Sequence, residues 1–419
     1  MKKRIPTALA GTLVLGFLLG LGSVSTAAAD TAGSLDPTFG NGGVVLTNLG
    51  LNAAGSQITA VASDAALLPN GDIVVAGNFG LVRYLPNGSL DTRFGTGGLA
   101  QLPPNGIASF PPGLAVQPDG KYLWAGEATA PNGSNGAFAV VRFNANGSVD
   151  QTFGTGGLAT TAFPNSNVQG ADAVLVQPDG KILLGGEVLP NINHAPADAA
   201  LARFNPNGTL DQTFGSGGQV LSTASIGNIT ALGLDAAADI FVLPAHAEFS
   251  PAGQLDSSVT PAAITTSSHG RNAAFLASGQ YVIANSVGVA KNDVDIQVQR
   301  FNADGSLAAA STAFDFSGST GLDQARDSAS AVAVQPNGQI VAGGAHFLGT
   351  SPVGVARVNA DGSLDAGFGS GGTLTTTIQG NESASALLIQ ADGKIIAVGY
   401  SENNSTGVTD VALVRYLGQ

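Results

Sequence analysis

The amino-acid sequence predicts an all-β protein, a seven-bladed β-propeller built from four-stranded antiparallel blades. Three observations predict it: a repeat of about 56 residues, two hairpin signatures in each repeat, and chain ends that complement each other. The 419 residues include 59 glycines, and only 11% of them are charged. This composition disfavours helices and suits short strands joined by tight turns.

The first signature is an apolar run, a tight turn and a second apolar run, as in residues 114–126. Asp-Gly or Asn-Gly between such runs is the strongest short-range signal of a β-hairpin, because both turn positions take positive φ angles. Each copy predicts the first two strands of a blade, strands A and B. Clear copies centre on Gly71, Gly120, Gly180, Gly338 and Gly393, and looser copies on Gly279 and Ala238.

The second signature is an apolar strand ending in arginine, then Asn-Gly-Ser-x-Asp, then Phe-Gly-x-Gly-Gly, as in residues 140–157. Each copy predicts strands C and D of a blade, so that one repeat holds two hairpins, as propeller blades do. The arginine slot recurs at intervals of 45 to 61 residues. It is occupied by Arg83, Arg142, Arg203, Glu248, Arg300, Arg357 and Arg415.

The two ends of the chain complement each other. Residues 33–40 match a strand D that has no strand C before it, and residues 413–416 match a strand C with no strand D after it. We expect these strands to pair and to close the ring, which would remove exposed sheet edges. A count of six or eight blades would require a miscount between residues 226 and 312, where the repeat is degenerate.

The phrase Asn-Gly-Ser-Leu-Asp-x-x-Phe-Gly-x-Gly-Gly, paired with Gln-Pro-Asp-Gly-Lys-Ile, resembles the delta-60 repeat of bacterial exported proteins. The resemblance covers nearly all of residues 30–419 and weakens after Leu255 and Leu307, where Phe-Gly-x-Gly-Gly is lost. It implies a repeat architecture and a bacterial source. It implies no catalytic residues.

The first residues have the pattern of a secretory signal peptide. A basic start (residues 2–4) precedes an apolar run (8–21) and three alanines (27–29) that suit a cleavage site. We therefore expect a signal peptide, 1–29, and a single propeller domain, 30–419, that is secreted to the periplasm or the extracellular medium. The alternative is an uncut N-terminal anchor, although the apolar run is short for a membrane span.

Charge and cysteine content restrict the partners. Loss of the three basic residues at the start would change the net charge from −13 to −16. Such an acidic protein should repel nucleic acid and anionic membrane surfaces. The chain has no cysteine, so we expect no disulfides, and its stability must come from packing and ring closure.

The repeated arginine and a repeated aspartate lie across one turn, on strands C and D. We predict that they form structural ion pairs. The pairs are Arg83–Asp91, Arg142–Asp150, Arg203–Asp211, Arg357–Asp365 and, across the closure, Arg415–Asp36. The phenylalanines of the same signature should fill the space between neighbouring sheets. They are Phe39, Phe94, Phe153, Phe214 and Phe368.

The A–B and C–D turns are short and uniform, whereas the loops at the other end of the blades vary in length and chemistry. A rigid scaffold with diverse loops on one face is typical of a binding surface, and drift of the loops is the alternative. The B–C segments include 128–137, 189–198, 287–293 and 401–409, and the D–A segments include 102–112, 163–170 and 317–328.

We predict no catalytic, cofactor or metal site. The four histidines, His194, His246, His269 and His346, fall in loops of that variable face, where surface exposure is the default. His246 and His346 stand at equivalent points after strand B and are named, with Asp293 and Asp295, as metal candidates. Those two aspartates form, with Asp323 and Asp327, an acidic group that could hold calcium. Ordinary solvated charge is the alternative.

The function predicted from these features is a non-catalytic binding or scaffold module outside the cytoplasm. Its partner would be a protein or a cell-envelope component held by the B–C and D–A loops, and the protein would be a monomer. One Trp and five Tyr disfavour a carbohydrate-stacking surface. Two alternatives stay open. One is a propeller lyase or hydrolase, which acids and one histidine at the channel mouth would favour. The other is a structural surface component, which should self-associate.

Overall fold

The protein is described by a computed structural model in which residues 31–419 form one compact unit. The described part is all-β, and among these residues no helix is long and apolar enough to cross a membrane. The predicted signal peptide lies outside it. The described residues are 31–50, 57–103, 107–128, 136–164, 166, 168–189, 197–222, 227–235, 237–243, 246–257, 272–276, 279–290, 293–318, 326–347 and 350–418.

The described residues contain 27 strands. They are β1 (Val44–Thr47), β2 (Ala62–Leu67), β3 (Ile73–Gly77), β4 (Gly80–Tyr84), β5 (Leu99–Ala100), β6 (Ile107–Val116), β7 (Tyr122–Ala128), β8 (Ala137–Phe143), β9 (Leu158–Thr161), β10 (Val168–Val176), β11 (Ile182–Leu189), β12 (Asp198–Phe204), β13 (Gln219–Ser222), β14 (Ala231–Leu234), β15 (Ile240–Leu243), β16 (Ala247–Phe249), β17 (Ala273–Phe275), β18 (Tyr281–Ala290), β19 (Asp293–Phe301), β20 (Leu307–Ala310), β21 (Arg326–Val334), β22 (Ile340–Phe347), β23 (Val353–Val358), β24 (Thr373–Thr376), β25 (Gly380–Ile389), β26 (Ile395–Asn403) and β27 (Thr409–Tyr416).

These strands form six sheets, in which consecutive strands pair antiparallel. β2–β5, β6–β9 and β10–β13 each form a four-stranded sheet, and β14–β16 form a three-stranded one. An eight-stranded sheet follows, whose halves β17–β20 and β21–β24 are joined by a single parallel pair, Val294 with Arg326. The last sheet contains β25, β26 and β27.

The first strand of the chain belongs to this last sheet. β1 pairs antiparallel with β27, with Val44 opposite Val414 and Thr47 opposite Val411. β1 is therefore the fourth strand of the sheet that also contains β25, β26 and β27.

The hairpin turns follow the glycine signal of the sequence. In the turn between β10 and β11, Gly180 has a φ of 81°, its N–H donates to Gln177 O, and Gln177 N donates to Lys181 O, both at 2.8 Å. Ala238 takes the corresponding place between β14 and β15 with a φ of 67°. A side chain is strained in this left-handed conformation, so this turn keeps the repeat geometry at a conformational cost.

Several strands extend into segments predicted as loops. β6 begins at Ile107, β18 runs to Ala290, and β21 begins at Arg326. His346, also predicted in a loop, lies in β22 opposite Asp327. The pairing continues because each added residue finds a hydrogen-bonding partner for its backbone, which an irregular loop would leave to water.

The core lies between sheets rather than inside any one of them. Val75 of β3 packs in one apolar cluster with Leu413 of β27, and Val355 of β23 packs in another with Ile395 of β26. The strands β2, β6, β10, β14, β17, β21 and β25 each contact the next in that order, and β25 contacts β2. Residues of six of these seven strands, together with Thr230, line a cavity of about 370 Å³.

Candidate functional site

The turn end of the regular sheets carries a repeated charged cluster. In the β6–β9 sheet, Arg142 Nε and Lys121 Nζ lie 2.8 and 2.9 Å from the same oxygen, Asp150 Oδ2. The Arg142 guanidinium stacks on the Phe153 ring, 4.4 Å from its centroid. Thr152 completes the cluster, since its backbone N–H and its hydroxyl both donate to Asp150 Oδ1.

The structure brings together all five arginine–aspartate pairs named from the sequence. The N–O distances are 2.7 Å for Arg83–Asp91, 2.8 Å for Arg142–Asp150, 2.8 Å for Arg203–Asp211, 2.7 Å for Arg357–Asp365 and 2.8 Å for Arg415–Asp36. The arginines stack on Phe94, Phe153, Phe214, Phe368 and Phe39, which are fully buried.

These contacts control the protonation of the aspartates. Burial by itself would raise the pKa of Asp36, but hydrogen bonds from Thr38 and the charge of Arg415 lower it to about 2. Asp91 is held at a pKa of about 2 in the same way by Arg93 and Arg83. Both aspartates are therefore charged at any pH above about 3.

The same arginines also bind the next sheet, a contact that the sequence analysis missed. Nη1 of Arg142 donates to Pro206 O at 2.6 Å, and Nη1 of Arg203 donates to Pro251 O at 2.6 Å. Nη1 of Arg415 donates to a carbonyl near the start of the chain, Pro86 O, at 2.8 Å. No sequence signal could have revealed this, because the acceptor is a backbone carbonyl.

The β14–β16 sheet reverses the charge of this cluster. Glu248 lies opposite Phe241, the second residue of β15, and this is the arginine position of the regular sheets. Asp239 directly precedes Ile240, the first residue of β15, and this is the lysine position. The carboxylates of Asp235, Asp239 and Glu248 lie within 4.8 Å of one another. Burial, and then the charges of these neighbouring aspartates, raise the pKa of Glu248.

His246 is buried rather than exposed, which corrects the expectation of a surface histidine. Its ring stacks on Tyr281 at a centroid distance of 5.1 Å and abuts Gly305, the turn glycine of the next sheet. Phe214 takes the equivalent place against Gly253. His246 thus fills the gap left where the second signature loses its phenylalanine, and burial lowers its pKa.

A second buried histidine lies at the loop end of β22. His346 Nδ1 lies 2.7 Å from Asp327 Oδ1 and 3.7 Å from Asp315 Oδ1. The exposed fractions of His346, Asp327 and Asp315 are 6%, 2% and 4%, so this histidine too is buried, contrary to expectation. We call these three residues the His346 cluster. The sequence places His346 and Asp327 in separate candidate groups and does not single out Asp315.

Backbone amides orient the carboxylates of the His346 cluster. Phe316 N donates to Asp327 Oδ2 at 2.7 Å, and Ser317 N donates to Asp315 Oδ1. Burial raises the pKa of Asp327 to about 7, and the charge of Asp315 adds to this effect. Asp327 also lines a cavity of about 420 Å³ between β18–β19 and β21–β22.

The amide contact to Asp327 is repeated in two other sheets. Phe163 N donates to Gln169 Oε1, and Gln379 N donates to Glu382 Oε1, both at 2.7 Å. The residue opposite differs: Val188 faces Gln169, Ser401 faces Glu382, and His346 faces Asp327. Anchoring of the preceding loop is therefore shared, whereas the histidine is particular to β22 among these three sheets.

Two of the other sequence candidates, Asp293 and Asp295, lie on or beside β19. Asp293 is buried at the start of β19, and Asp295 lies opposite Val287. Among the described residues, neither belongs to a group of three or more possible metal ligands. His194, His269 and Asp323 lie outside the described residues. Of the predicted binding loops, 401–409 is fully described and 287–293 lacks only residues 291–292.

Several solved structures resemble this chain at low identity. A Penicillium chrysogenum α-L-arabinanase complexed with arabinobiose has 12% identity and a TM-score of 0.45, over 92% of this chain and 97% of that one. An α-L-arabinofuranosidase from Fusarium graminearum has 12% identity and a TM-score of 0.45, over 88% and 97%. A gluconolactonase from Xanthomonas campestris has 14% identity and a TM-score of 0.37, over 94% and 99%. No inference about activity follows from similarity this weak.

Sequence comparison is more informative about the family. No curated protein matches the chain. Five segments match the description "Domain of unknown function (DUF5122) beta-propeller", namely residues 68–94, 117–153, 177–214, 335–368 and 390–418. Each segment includes one or both hairpin turns of a sheet. The matched segments cover less than half of the chain, and together with the repeated antiparallel sheets they support a β-propeller fold.

Proposed function

We propose that this protein is an exported, non-catalytic binding or scaffold propeller whose B–C and D–A loops hold a protein or a cell-envelope component. In this proposal it is a monomer with seven blades. The halves β17–β20 and β21–β24 count as two blades, and β25–β27 with β1 form the last. The cyclic contacts of the first strands and the pairing of β1 with β27 support ring closure.

The observation that carries this proposal is the difference between the two ends of the blades. At the turn end, arginines at fixed positions tie several of the sheets to their neighbours through backbone carbonyls. At the loop end, one strand position holds Gln169, Asp327 or Glu382, and the opposite position varies with it. A rigid end with a variable end is the arrangement of a scaffold that presents a binding face.

The test is a pull-down from the envelope and culture medium of the source organism, with residues 30–419 as bait. One control bait has the segments 128–137, 189–198 and 401–409 replaced by short Gly/Ser turns. A matched control carries Lys121→Ala and Lys181→Ala at the turn end. A partner that is kept by wild type and the lysine control but lost by the loop control supports the proposal.

Other outcomes of the pull-down separate the alternatives. Equal capture by all three baits would contradict an interface formed by these B–C loops. Capture of further copies of the same chain would favour a structural surface component. If no bait captures a partner, the binding proposal fails.

A second candidate is a hydrolase or lyase, which the contact between His346 and Asp327 beside a cavity favours. An imidazole paired with a carboxylate can accept a proton from water or from a substrate. A panel of chromogenic esters and glycosides would test this candidate. Turnover that His346→Gln abolishes would favour the enzyme over the binding module.

A further inference from the structure

We propose that Asp315, Asp327 and His346 form a binding site for a divalent transition-metal ion of the Zn²⁺ or Mn²⁺ class. The inference concerns the His346 cluster alone and does not depend on the proposed binding function. The site would hold a structural ion at the loop end of the β21–β24 blade.

The geometry of the three side chains suits one ion. One ligand atom from each residue lies within 4.8 Å of the others, and His346 Nδ1 is 2.7 and 3.7 Å from the two carboxylates. Ligand atoms that share a tetrahedral Zn²⁺ at about 2.1 Å are separated by roughly 3 to 4 Å. The three side chains can therefore reach a common ion by small rotations.

The charge of the cluster also suits a divalent ion. Asp315 and Asp327 are both at least 96% buried, and burial of a carboxylate is costly unless its charge is compensated. A divalent ion bound to both carboxylates would offset this cost, with the imidazole as a neutral ligand, which is the form that binds metals.

The surroundings hold the ligands in place. The amide of Phe316 binds Asp327 Oδ2 and leaves Oδ1 directed at His346, and the amide of Ser317 binds Asp315. Hydrogen bonds of this kind orient the ligands of metal sites. The equivalent anchors, Gln169 and Glu382, face Val188 and Ser401, so the histidine is an addition to a shared structural arrangement.

A metal preference follows from the types of ligand. The cluster lies beside the cavity of about 420 Å³ that Asp327 borders. One imidazole nitrogen with two carboxylates suits zinc or manganese, whereas calcium takes six to eight oxygen ligands. We therefore expect selectivity for Zn²⁺ and Mn²⁺ over Ca²⁺.

The experiment is a titration of the purified protein, without a polyhistidine tag, by isothermal calorimetry with ZnCl₂, MnCl₂ and CaCl₂. Co²⁺ absorption serves as a direct readout of ligation. We expect one equivalent of Zn²⁺ or Mn²⁺ to bind. His346→Gln and Asp315→Asn should each weaken that binding by about tenfold or more.

Glu382→Gln is the matched control, because Glu382 has the same anchoring role as Asp327 but faces a serine. It should bind the ion as wild type does. Thermal melting checks that each variant folds, and Zn²⁺ should raise the melting temperature of wild type but not of His346→Gln. The proposal is overturned if wild type binds no stoichiometric Zn²⁺ or Mn²⁺, if folded His346→Gln binds as tightly, or if Ca²⁺ binds equally well.

Discussion

At the residue scale, one arginine performs three tasks in each regular blade. Arg142 neutralises Asp150, covers the ring of Phe153 and binds the carbonyl of Pro206 in the next sheet. An isolated exposed ion pair contributes little to stability. Arg142 is more important than such a pair because it is buried and because its removal would end contacts with three partners.

Arg142→Met should therefore be strongly destabilising. Among the described residues, the variant leaves buried Asp150 with Lys121 as its remaining charged partner, and it removes the link to Pro206. We therefore expect a loss of about 3 kcal/mol of unfolding free energy. Urea denaturation measures it. Arg93→Met is the control, because its side chain is 79% exposed although it also pairs with an aspartate. Equal losses in the two variants would contradict this account.

Glu248 occupies the arginine position of the β14–β16 sheet, so the reverse substitution can be tested there. Glu248→Arg should remove a repulsive charge from beside Asp239 and pair with Asp256, raising the unfolding free energy by about 1 kcal/mol. Thermal melting measures the gain. Glu248→Gln separates the two effects, since it removes the charge without supplying a cation. A melting temperature below that of wild type for both variants would show that the acidic group is needed for folding.

At the scale of strands and sheets, the degenerate β14–β16 sheet still packs against the next sheet because another ring takes the place of the lost phenylalanine. The β14–β16 sheet lacks the phenylalanine of the second signature, and His246 takes that place between Tyr281 and Gly305. Burial lowers the pKa of His246 and so favours the neutral ring there. A ring of similar size should therefore replace it.

His246→Phe should keep most of the stability, whereas His246→Ala should lose about 2 to 3 kcal/mol through the cavity it leaves. Chemical denaturation of the two variants measures the difference. If phenylalanine proves as damaging as alanine, the packing role is wrong and a polar contact of the imidazole must matter instead.

The strands were only partly predictable. The positions of their turns were predicted correctly from Asn-Gly and Asp-Gly, although only the glycine of each pair takes the positive φ expected of both residues. Their loop-end limits were not, since β18 continues to Ala290 and β21 begins at Arg326. Where a strand ends depends on whether its neighbour continues to supply hydrogen-bond partners, and that neighbour is distant in sequence.

At the scale of the whole molecule, the chain ends are tied by a buried ion pair. Arg415 and Asp36 are separated by 379 positions, and their atoms lie 2.8 Å apart. Lys394 adds a second cation at 3.3 Å from Asp36. The first and last segments are thus joined by side chains as well as by the pairing of β1 with β27.

The low pKa values predict how the molecule responds to acid. The folded pKa of Asp36 and Asp91 is about 2, below the ordinary value of 3.8. Their contribution is therefore complete above pH 4 and is lost as the pH falls from about 4 to 2. Urea midpoints measured across this interval should fall steeply. Asp36→Asn should lower the midpoint at pH 5 and flatten the fall; an unchanged slope would contradict the role of the pair.

The candidate site shows why function was less predictable than fold. His346 and Asp327 were named from the sequence but assigned to different groups, and Asp315 was not named. Their meeting depends on how residues 315–317 pack against β21 and β22. Surface exposure is the usual state of a loop histidine, and only the packing of that segment reveals that this one is buried.

By itself, the sequence determined the all-β class, the repeated hairpins and the arginine–aspartate spacing of eight residues. Each of these depends on turn chemistry and on alternation along a few adjacent residues. Only the tertiary structure decided which groups meet between sheets. The hydrogen bond from Arg142 to the Pro206 carbonyl, the packing of His246 and the His346 cluster all arise where separate segments pack. Such contacts depend on the positions of whole sheets, which no short stretch of sequence records.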